Sequence, residues 1–125
     1  MKDWSKSWKG SKQPRKQRKY SYNAPLHIIR KMFSVALNKE LRKLHGTRNV
    51  IIRKGDKVKV LRGQFKGKSG KVDKVSFVRR KIVIFGIDLI KKDGNKVPYN
   101  IHPSNLVITE LNLEDKKRKE KLGKK

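Results

Sequence analysis

Hydrophobic residues follow a helical spacing in the first part of the chain. The positions concerned are Leu26, Ile29, Phe33, Leu37, Leu41 and Leu44. Basic residues occupy the opposite face of the predicted helix. Asn23 is a predicted N-cap, Pro25 suits the first turn, and Gly46 ends the segment. Asn38 suits the cap of a second short helix, so the pattern allows either one continuous helix or a helix broken near residues 34–38.

From Val50 onward the pattern becomes that of extended chain. Val58 and Val60 lie two residues apart, as the inward side chains of a half-buried strand do, while Lys57 and Lys59 point the other way. Strands are predicted near residues 57–62, 70–79, 81–90, 96–101 and 106–110, with turns at 63–68, 79–81, 93–95 and 103–105. Five short antiparallel strands predict a small barrel.

Two irregularities interrupt this alternation. The inward parity changes between Val72 and Val75, which predicts a β-bulge. In the strand over 81–90, isoleucines at 82 and 84 face oppositely to Val83, Phe85 and Ile87, so the strand is apolar on both faces. Either the strand is central in the sheet, or the helical segment covers its outer face.

The segment from Lys54 to Val75 combines this strand pattern with glycine and positive charge. Eight of its residues are Lys or Arg, and Gly63, Gly67 and Gly70 suit positions of positive φ or of close backbone approach. The lone acid before the strand, Asp56, suits a turn or capping role. The glycines do not fit the GxxxxGK[ST] frame of a phosphate-binding loop, so nucleotide hydrolysis has no support.

Composition points to a polyanionic partner. The 125 residues include 36 Lys and Arg against 10 Asp and Glu, a formal net charge of +26 that is spread along the chain. The absence of cysteine excludes disulfides and cysteine-ligated zinc, and three scattered histidines do not suggest a metal site. We therefore expect no cofactor, no catalysis and no small-molecule substrate. No apolar run approaches the ~20 residues of a membrane span, so we expect a cytoplasmic protein without membrane insertion.

For the two ends of the chain, the sequence allows more than one conformation or set of contacts. Residues 1–22 are predicted to form a basic extended arm that is disordered until it binds. Within it, Trp4 and Trp8 either stack on RNA or pack on a neighbour, or they belong to a mobile end without defined contacts. Tyr20 and Tyr22 either stack on unpaired bases or pack against the barrel. The tail over 111–125 is expected to extend along RNA as a frayed helix.

Three segments together resemble one protein family. Residues 54–75 are similar to the KOW motif, on Gly55, Asp56, Val58, Val60, Gly63, Lys66, Gly67, Gly70, Val72 and Val75. Ahead of it stands QPRKQRKYSYNAPLHIIRKMFSVALNKELRKLHG, and behind it IHPSNLVIT followed by LNLEDKKRK. From about Gln13 to Lys119 the chain resembles the large-subunit ribosomal protein twenty-four family in its archaeal and eukaryotic branch. Residues 1–11 do not align with that pattern.

The resemblance implies a mainly β fold, a small SH3-like antiparallel KOW barrel with an N-terminal basic arm and short helical segments. The expected division is an arm over 1–22, a helical segment over 23–46, the barrel over 47–110 and a charged tail over 111–125. It also implies a structural RNA-binding protein that is a monomer within the large ribosomal subunit. The implied site is the 5′ domain of the large-subunit ribosomal RNA near the nascent-chain exit tunnel, with a part in early assembly. Neighbouring ribosomal proteins and exit-tunnel factors are the implied protein partners.

The predicted RNA-binding residues are cationic side chains, an aromatic residue, and loop or turn positions beside them. They are Arg15, Lys16, Arg18, Lys19, Tyr20, Arg30, Lys31, Arg53, Lys54, Arg62, Gly63, Gln64, Lys66, Gly67, Lys68, Lys71, Arg79, Arg80, His102 and Ser104. For His102 and Ser104 the simplest role is a capped turn between strands, and RNA contact is a second one.

Two other classes of function compete with this interpretation. A transcription elongation regulator of the NusG type also carries a KOW unit and contacts polymerase, but the α/β domain expected ahead of that unit is missing from this sequence. A polybasic protein of the membrane surface would use the same charge on anionic lipid. The helical segment has a core-like apolar face and no interfacial aromatic band, which disfavours this alternative.

Overall fold

The computed structural model describes residues 4–8 and 10–123. The helices are α1 (Pro14–Asn23), α2 (Leu26–Met32), α3 (Lys39–His45) and α4 (Lys116–Gly123), with a 3₁₀ turn at Pro103–Asn105. The strands are β1 (Ser34–Leu37), β2 (Asn49–Ile51), β3 (Lys57–Val60), β4 (Ser69–Ser76), β5 (Lys81–Ile90), β6 (Lys96–Ile101) and β7 (Leu106–Glu110). None of these helices is both long enough and apolar enough to cross a bilayer.

The strands form one sheet that curls into a small SH3-like barrel. Their order is β2-β1-β7-β3-β4-β5-β6, and every neighbouring pair is antiparallel except β1 with β7. The register of β4 against β5 shifts between Val72 and Lys74, which confirms the predicted bulge. The five predicted strands are all present, and β1 and β2 are additional.

The core is filled from the inward faces of these strands. Val58 and Val60 are buried while Lys59 between them is exposed, as their alternation predicted. The buried apolar residues that form this core are Phe33, Val35, Leu37, Ile52, Val58, Val60, Phe65, Val72, Ile82, Ile84, Ile87, Ile101, Leu106 and Ile108.

A glycine in β5 explains why Ile87 faces the core although Ile82 and Ile84 have the opposite parity. β5 lies between β4 and β6, so the central position is the alternative that holds. Gly86 has a φ of +81°, and the register against β6 shifts between Val83 and Asp88. This shift brings Ile87 into the core with the two isoleucines before it, and it leaves Phe85 77% exposed.

The predicted helical segment is broken by a strand. Asn38 caps α3, since its side chain accepts a hydrogen bond from the Lys39 N–H at 2.7 Å, and Gly46 ends α3 with a φ of +59°. Between α2 and α3 the chain forms β1, in which Val35 and Leu37 are buried by pairing with β2 and β7. The N-cap expected at Asn23 is wrong, because Asn23 is the last residue of α1.

The extended conformation expected for residues 1–22 is wrong where α1 forms. Pro14 occupies the first turn of the helix, where its missing N–H costs nothing, and the Arg, Lys and Gln residues after it favour a helix. Trp4 and Trp8 pack on Tyr20, with ring centroids 5.1 and 4.6 Å away, and Trp4 Nε1 donates a hydrogen bond to the Tyr20 carbonyl at 3.2 Å. The expectation for residues 1–3 and 9 lies outside the described residues.

A buried ion pair attaches α4 to the barrel. Asp56 is fully buried, and its two carboxylate oxygens accept hydrogen bonds from Nη1 and Nη2 of Arg118 at 2.7 Å each. The Arg53 and Asn112 N–H groups also donate to this carboxylate, each at 2.9 Å, and the Arg53 contact confirms the predicted turn role. Leu122 is buried in the same helix. The α4 part of the tail therefore packs on the barrel, whereas the sequence predicted only a frayed helix along RNA.

Candidate nucleic-acid interface

The loop between β3 and β4 is held in a tight, glycine-dependent conformation. Gly63 and Gly67 have φ values of +95° and +89°, a region that other residues enter only with strain. The Gly67 N–H donates to the Val60 carbonyl at 2.8 Å, and the Val60 N–H donates to the Lys68 carbonyl at 2.9 Å. Nothing lies within 4 Å of where a side chain at Gly63 or Gly67 would begin. The loop backbone is therefore both defined and open to an approaching partner.

Gly70 has a different role from the other two glycines. A Cβ at this position would lie 2.7 Å from the Ile84 side chain and 2.7 Å from the Phe85 carbonyl oxygen. The close approach of β5 thus requires glycine here. Of the two reasons predicted from the sequence, positive φ and close backbone approach, the second one applies to Gly70.

Phe65 anchors the tip of the loop to the barrel. Its ring is buried, lies 4.9 Å from the Tyr99 ring, and has the Lys68 ammonium 5.1 Å above it. This anchoring leaves the neighbouring polar side chains outside, and Arg62, Gln64 and Lys66 are all exposed. The loop therefore presents a cationic outer surface on a rigid base.

The loop meets the turn that follows β6, about forty residues later in the chain. The Leu61 N–H donates to the Asn105 carbonyl at 2.8 Å, and a cleft of about 100 Å³ lies between the two segments. Its lining consists of Val60, Arg62, Gly63, Gln64, Phe65, Lys81, Tyr99, Asn100, Ile101, His102 and Asn105. None of these lining residues is acidic. The structure thus brings together predicted site residues from the loop and from the turn.

His102 caps the 3₁₀ turn as a neutral imidazole. Its Nδ1 accepts a hydrogen bond from the Ser104 N–H at 3.3 Å and lies 2.8 Å from the Ser104 hydroxyl. Partial burial, together with the positive charges of Lys81 and Arg80, holds the pKa of His102 below its usual 6.5. Because Nδ1 accepts, the neutral ring carries its proton on Nε2. This confirms the predicted capped turn.

The predicted residues of the arm lie on α1. Arg15, Lys16, Arg18 and Lys19 are all exposed, so the helix presents a row of cations to the surroundings. Tyr20 is instead covered by Trp4 and Trp8. Both tyrosines were predicted either to stack on bases or to pack, and Tyr20, the one among the predicted RNA-binding residues, is the less accessible, since Tyr22 is 83% exposed.

Several other predicted cations already have partners within the protein. Arg53 forms an ion pair with Asp115, which lowers the pKa of that carboxyl through their hydrogen bond, and Lys54 lies 3.7 Å from Asp73. The Arg30 guanidinium lies 5.7 Å from the Phe77 ring centroid. Exposed pairs of this kind contribute little to stability, so these side chains remain able to exchange partners.

The remaining predicted residues are on the outer surface or at the turn after β4. Lys31 lies on α2, Lys71 lies on β4 and Arg79 lies in the turn, and all three are exposed. Arg80 has a φ of +52°, and its guanidinium donates a hydrogen bond to the Ser21 carbonyl. Within residues 4–8 and 10–123, no three His, Asp or Glu side chains cluster as metal ligands would.

Sequence reasoning missed several residues of this surface, two of which are Lys81 and Asn100. Lys81 enters the cleft from the start of β5, and Asn100 enters it from β6. Both residues stand at strand ends next to turns that were predicted, and that position was the only available signal. Their meeting with the loop depends on how the sheet curls, which no local pattern reveals.

Comparison with known proteins identifies relatives along almost the whole chain. Residues 11–125 match the family model that describes ribosomal protein L26 of eukaryotes and its archaeal counterpart, ribosomal protein twenty-four. The chain is also 50% identical over 113 residues to the large ribosomal subunit protein uL24 of Methanoculleus marisnigri. That alignment covers 90% of this chain and 93% of the relative.

Proposed function

The chain belongs to the ribosomal protein family that comprises L26 of eukaryotes and protein twenty-four of archaea, and on this premise we propose that it binds ribosomal RNA as a structural component of the large subunit. Membership of this family supports a structural role in the large ribosomal subunit. RNA binding at the surface described above is a more specific proposal than membership of the ribosome, and one observation supports it. That observation is the acid-free cleft where the β3–β4 loop meets the His102 turn.

The cleft suits the phosphate backbone of a folded RNA. Arg62 and Lys81 supply positive charge, while Gln64, Asn100 and the Nε2–H of His102 are hydrogen-bond donors for phosphate or sugar oxygens. The loop is already fixed by its glycines and by Phe65, so docking needs little further ordering. The barrel therefore serves as a rigid docking surface, and the cations of α1 extend the contact to neighbouring phosphates.

The resemblance adds a site of action to this proposal. The protein sits on the 5′ domain of the large-subunit RNA near the exit of the nascent-chain tunnel, acts early in assembly, and belongs to the cytoplasmic ribosome. Its protein partners are neighbouring ribosomal proteins, with exit-tunnel factors as further candidates. It binds as a monomer without a cofactor.

A salt titration tests RNA binding. We would measure the affinity of the full chain for large-subunit ribosomal RNA transcribed in vitro, with small-subunit RNA as the matched control. Each phosphate neutralised contributes ~0.7 to 0.9 to the slope of log affinity against log salt concentration. We expect a steep slope on both RNAs, and tighter binding to the large-subunit RNA at every salt concentration. Equal affinity for the two RNAs would mean that the chain acts only as a non-specific polycation.

Sucrose-gradient fractionation of a cell extract tests the location. Comigration with the large subunit that survives moderate salt is the expected result. A pool that migrates with RNA polymerase would instead support a KOW regulator of transcription.

A further inference from the structure

A second basic groove lies between the end of α1 and the turn that joins β4 to β5. It has a volume of about 630 Å³, within the range of sites that hold small molecules. Its lining consists of Arg18, Tyr22, Ala24, Leu26, Ile29, Val78, Arg79 and Arg80. The groove is separate from the cleft at the β3–β4 loop, because the two linings share no residue.

Large apolar side chains are unusually exposed in this groove. Tyr22 is 83% exposed, Val78 is 85% exposed and Leu26 is 57% exposed. They come from three elements, namely α1, the turn after β4, and α2. Apolar surface gathered in this way marks an interaction site.

The charge of the groove favours a nucleic acid as its occupant. Three of the eight lining residues are arginines and none is acidic. An aromatic ring beside guanidinium groups matches the chemistry of a nucleotide, which combines a flat apolar base with an anionic phosphate. The similarly exposed Phe85 differs in this respect, since its groove includes Asp73.

The fold assigns different roles to the two tyrosines at the end of α1. They are two positions apart, which on a helix turns their side chains about 200° from each other. Tyr20 is covered by Trp4 and Trp8, and its carbonyl accepts the Trp4 Nε1–H. Tyr22 faces the groove. Of the two rings, that of Tyr22 is the one free to stack on a base.

Arg80 fixes the two sides of the groove to each other. Its backbone is in the left-handed region, with φ +52°, a conformation that is strained for an arginine. Its guanidinium donates to the Ser21 carbonyl in the last turn of α1, where a cation also complements the helix dipole. The helix itself has no basic residue in that turn. Arg80 is therefore a positioning residue, and Arg18 and Arg79 remain exposed for phosphates.

We propose that this groove binds an unpaired RNA base stacked on the Tyr22 ring, with the adjoining phosphates on Arg18 and Arg79. The proposal rests on the proposed binding of ribosomal RNA and adds a second contact, directed at a base. Stacking on an aromatic ring contributes about 1–3 kcal/mol per base, so loss of the ring should weaken binding about 5- to 150-fold.

The test compares three variants of the full chain on two probes. Tyr22→Leu keeps an apolar side chain without a ring, Tyr22→Phe keeps the ring, and Phe85→Leu removes an equally exposed ring elsewhere. The probes are a uridine decamer and a decamer of abasic ribose phosphates, which carries the same phosphates without bases. We expect Tyr22→Leu to weaken binding to the uridine decamer alone, and Tyr22→Phe and Phe85→Leu to bind both probes like the wild type.

Other outcomes overturn the proposal. Unchanged binding of Tyr22→Leu to the uridine decamer excludes stacking and leaves a protein neighbour as the occupant of the groove. An equal loss on the abasic decamer shows a phosphate or folding effect instead. A parallel measurement on large-subunit ribosomal RNA separates this proposal from the first. If the wild-type chain does not bind that RNA more tightly than small-subunit RNA, the proposed function is wrong. If it does, and Tyr22→Leu binds that RNA with unchanged affinity, only the proposal of base stacking in the groove is wrong.

Discussion

Asp56 and Arg118 are 62 residues apart in the chain and form a buried bidentate ion pair, with both N···O distances at 2.7 Å. Arg118 also donates to the Asn112 carbonyl at 2.8 Å and to the Ile51 carbonyl at 3.3 Å, while its Nε has no partner among the described residues. This carboxylate–guanidinium unit lies between the start of β3 and α4, and two backbone N–H groups complete the shell of the carboxylate. The unit joins the tail to the barrel, together with the burial of Leu122 and the ion pair between Arg53 and Asp115.

Replacing Arg118 should therefore destabilise the whole domain. Arg118→Ala leaves the Asp56 carboxylate buried without its counter-charge, and such losses cost about 3–5 kcal/mol. Urea denaturation monitored by circular dichroism measures this change. Arg118→Lys keeps the charge but loses the bidentate geometry, so we expect a smaller loss. A change below about 1 kcal/mol for Arg118→Ala would show that Asp56 finds water or another partner when α4 is released.

The loop glycines give a second prediction, because they are required for different reasons. Gly70→Asn should destabilise the barrel, since a Cβ there meets the Phe85 carbonyl oxygen at 2.7 Å. Gly63→Asn should cost less, because nothing lies within 4 Å of its Cβ and only the backbone strain at a φ of +95° opposes the new side chain. The expected costs are about 1–3 kcal/mol at Gly70 from the steric clash and about 1 kcal/mol at Gly63 from backbone strain.

Denaturation curves of the two variants, recorded side by side, check this difference. A loss at Gly70 no larger than the loss at Gly63 would show that β5 moves away from the new Cβ, so that its close approach does not require glycine at Gly70.

The barrel strands were predictable because their signal is local. Alternation of Val58 and Val60 predicted the inward face of β3, and the parity change after Val72 predicted a bulge that the register confirms. The strand β1 was missed because Phe33 and Leu37 also fit a helical spacing. The burial of Val35 between them reveals a period of two only once β7 and β2 pair on either side.

The candidate site was predictable in its members and not in its geometry. The basic residues and glycines of one segment predicted that the β3–β4 loop belongs to the site. The contact of this loop with the His102 turn depends on the order of the strands in the sheet. The same holds for the two tyrosines of α1, since Trp4 and Trp8 pack on Tyr20 while Tyr22 is 83% exposed. Contacts between residues distant in sequence leave no periodic signal.

Charge reversal in the loop tests its contact with RNA. The triple variant Lys66→Glu, Lys68→Glu, Lys71→Glu should bind large-subunit ribosomal RNA with a shallower salt slope and an affinity lower by orders of magnitude. The fold should survive, because all three side chains are exposed. Filter binding across salt concentrations measures the affinity, and circular dichroism checks the fold.

A matched control separates local contact from overall charge. The residues Lys91, Lys92 and Lys96 are also exposed, and their reversal changes the net charge by the same amount at the far end of the β5–β6 hairpin. If both triple variants lose affinity equally, the loop makes no specific contact.

Proton uptake at His102 should accompany RNA binding. In the free protein, burial and the charges of Lys81 and Arg80 lower the pKa of His102, and protonation would deprive the Ser104 N–H of its acceptor. The unfolded chain thus binds more protons in the window from 6.5 down to the lowered pKa, so the free protein loses stability as the pH falls below 6.5. A phosphate in the cleft acts in the opposite direction, since it favours the charged imidazolium and raises the pKa.

RNA affinity should therefore increase as the pH falls below about 6.5, and the increase should disappear in His102→Asn. In that variant the side-chain oxygen can still accept from the Ser104 N–H, so the turn is kept while the titrating group is lost. NMR titration of the imidazole in the free and bound states measures the pKa directly. A bound-state pKa equal to or below the free value would mean that no phosphate lies beside His102, and the RNA contact at this cleft would then be confined to the β3–β4 loop.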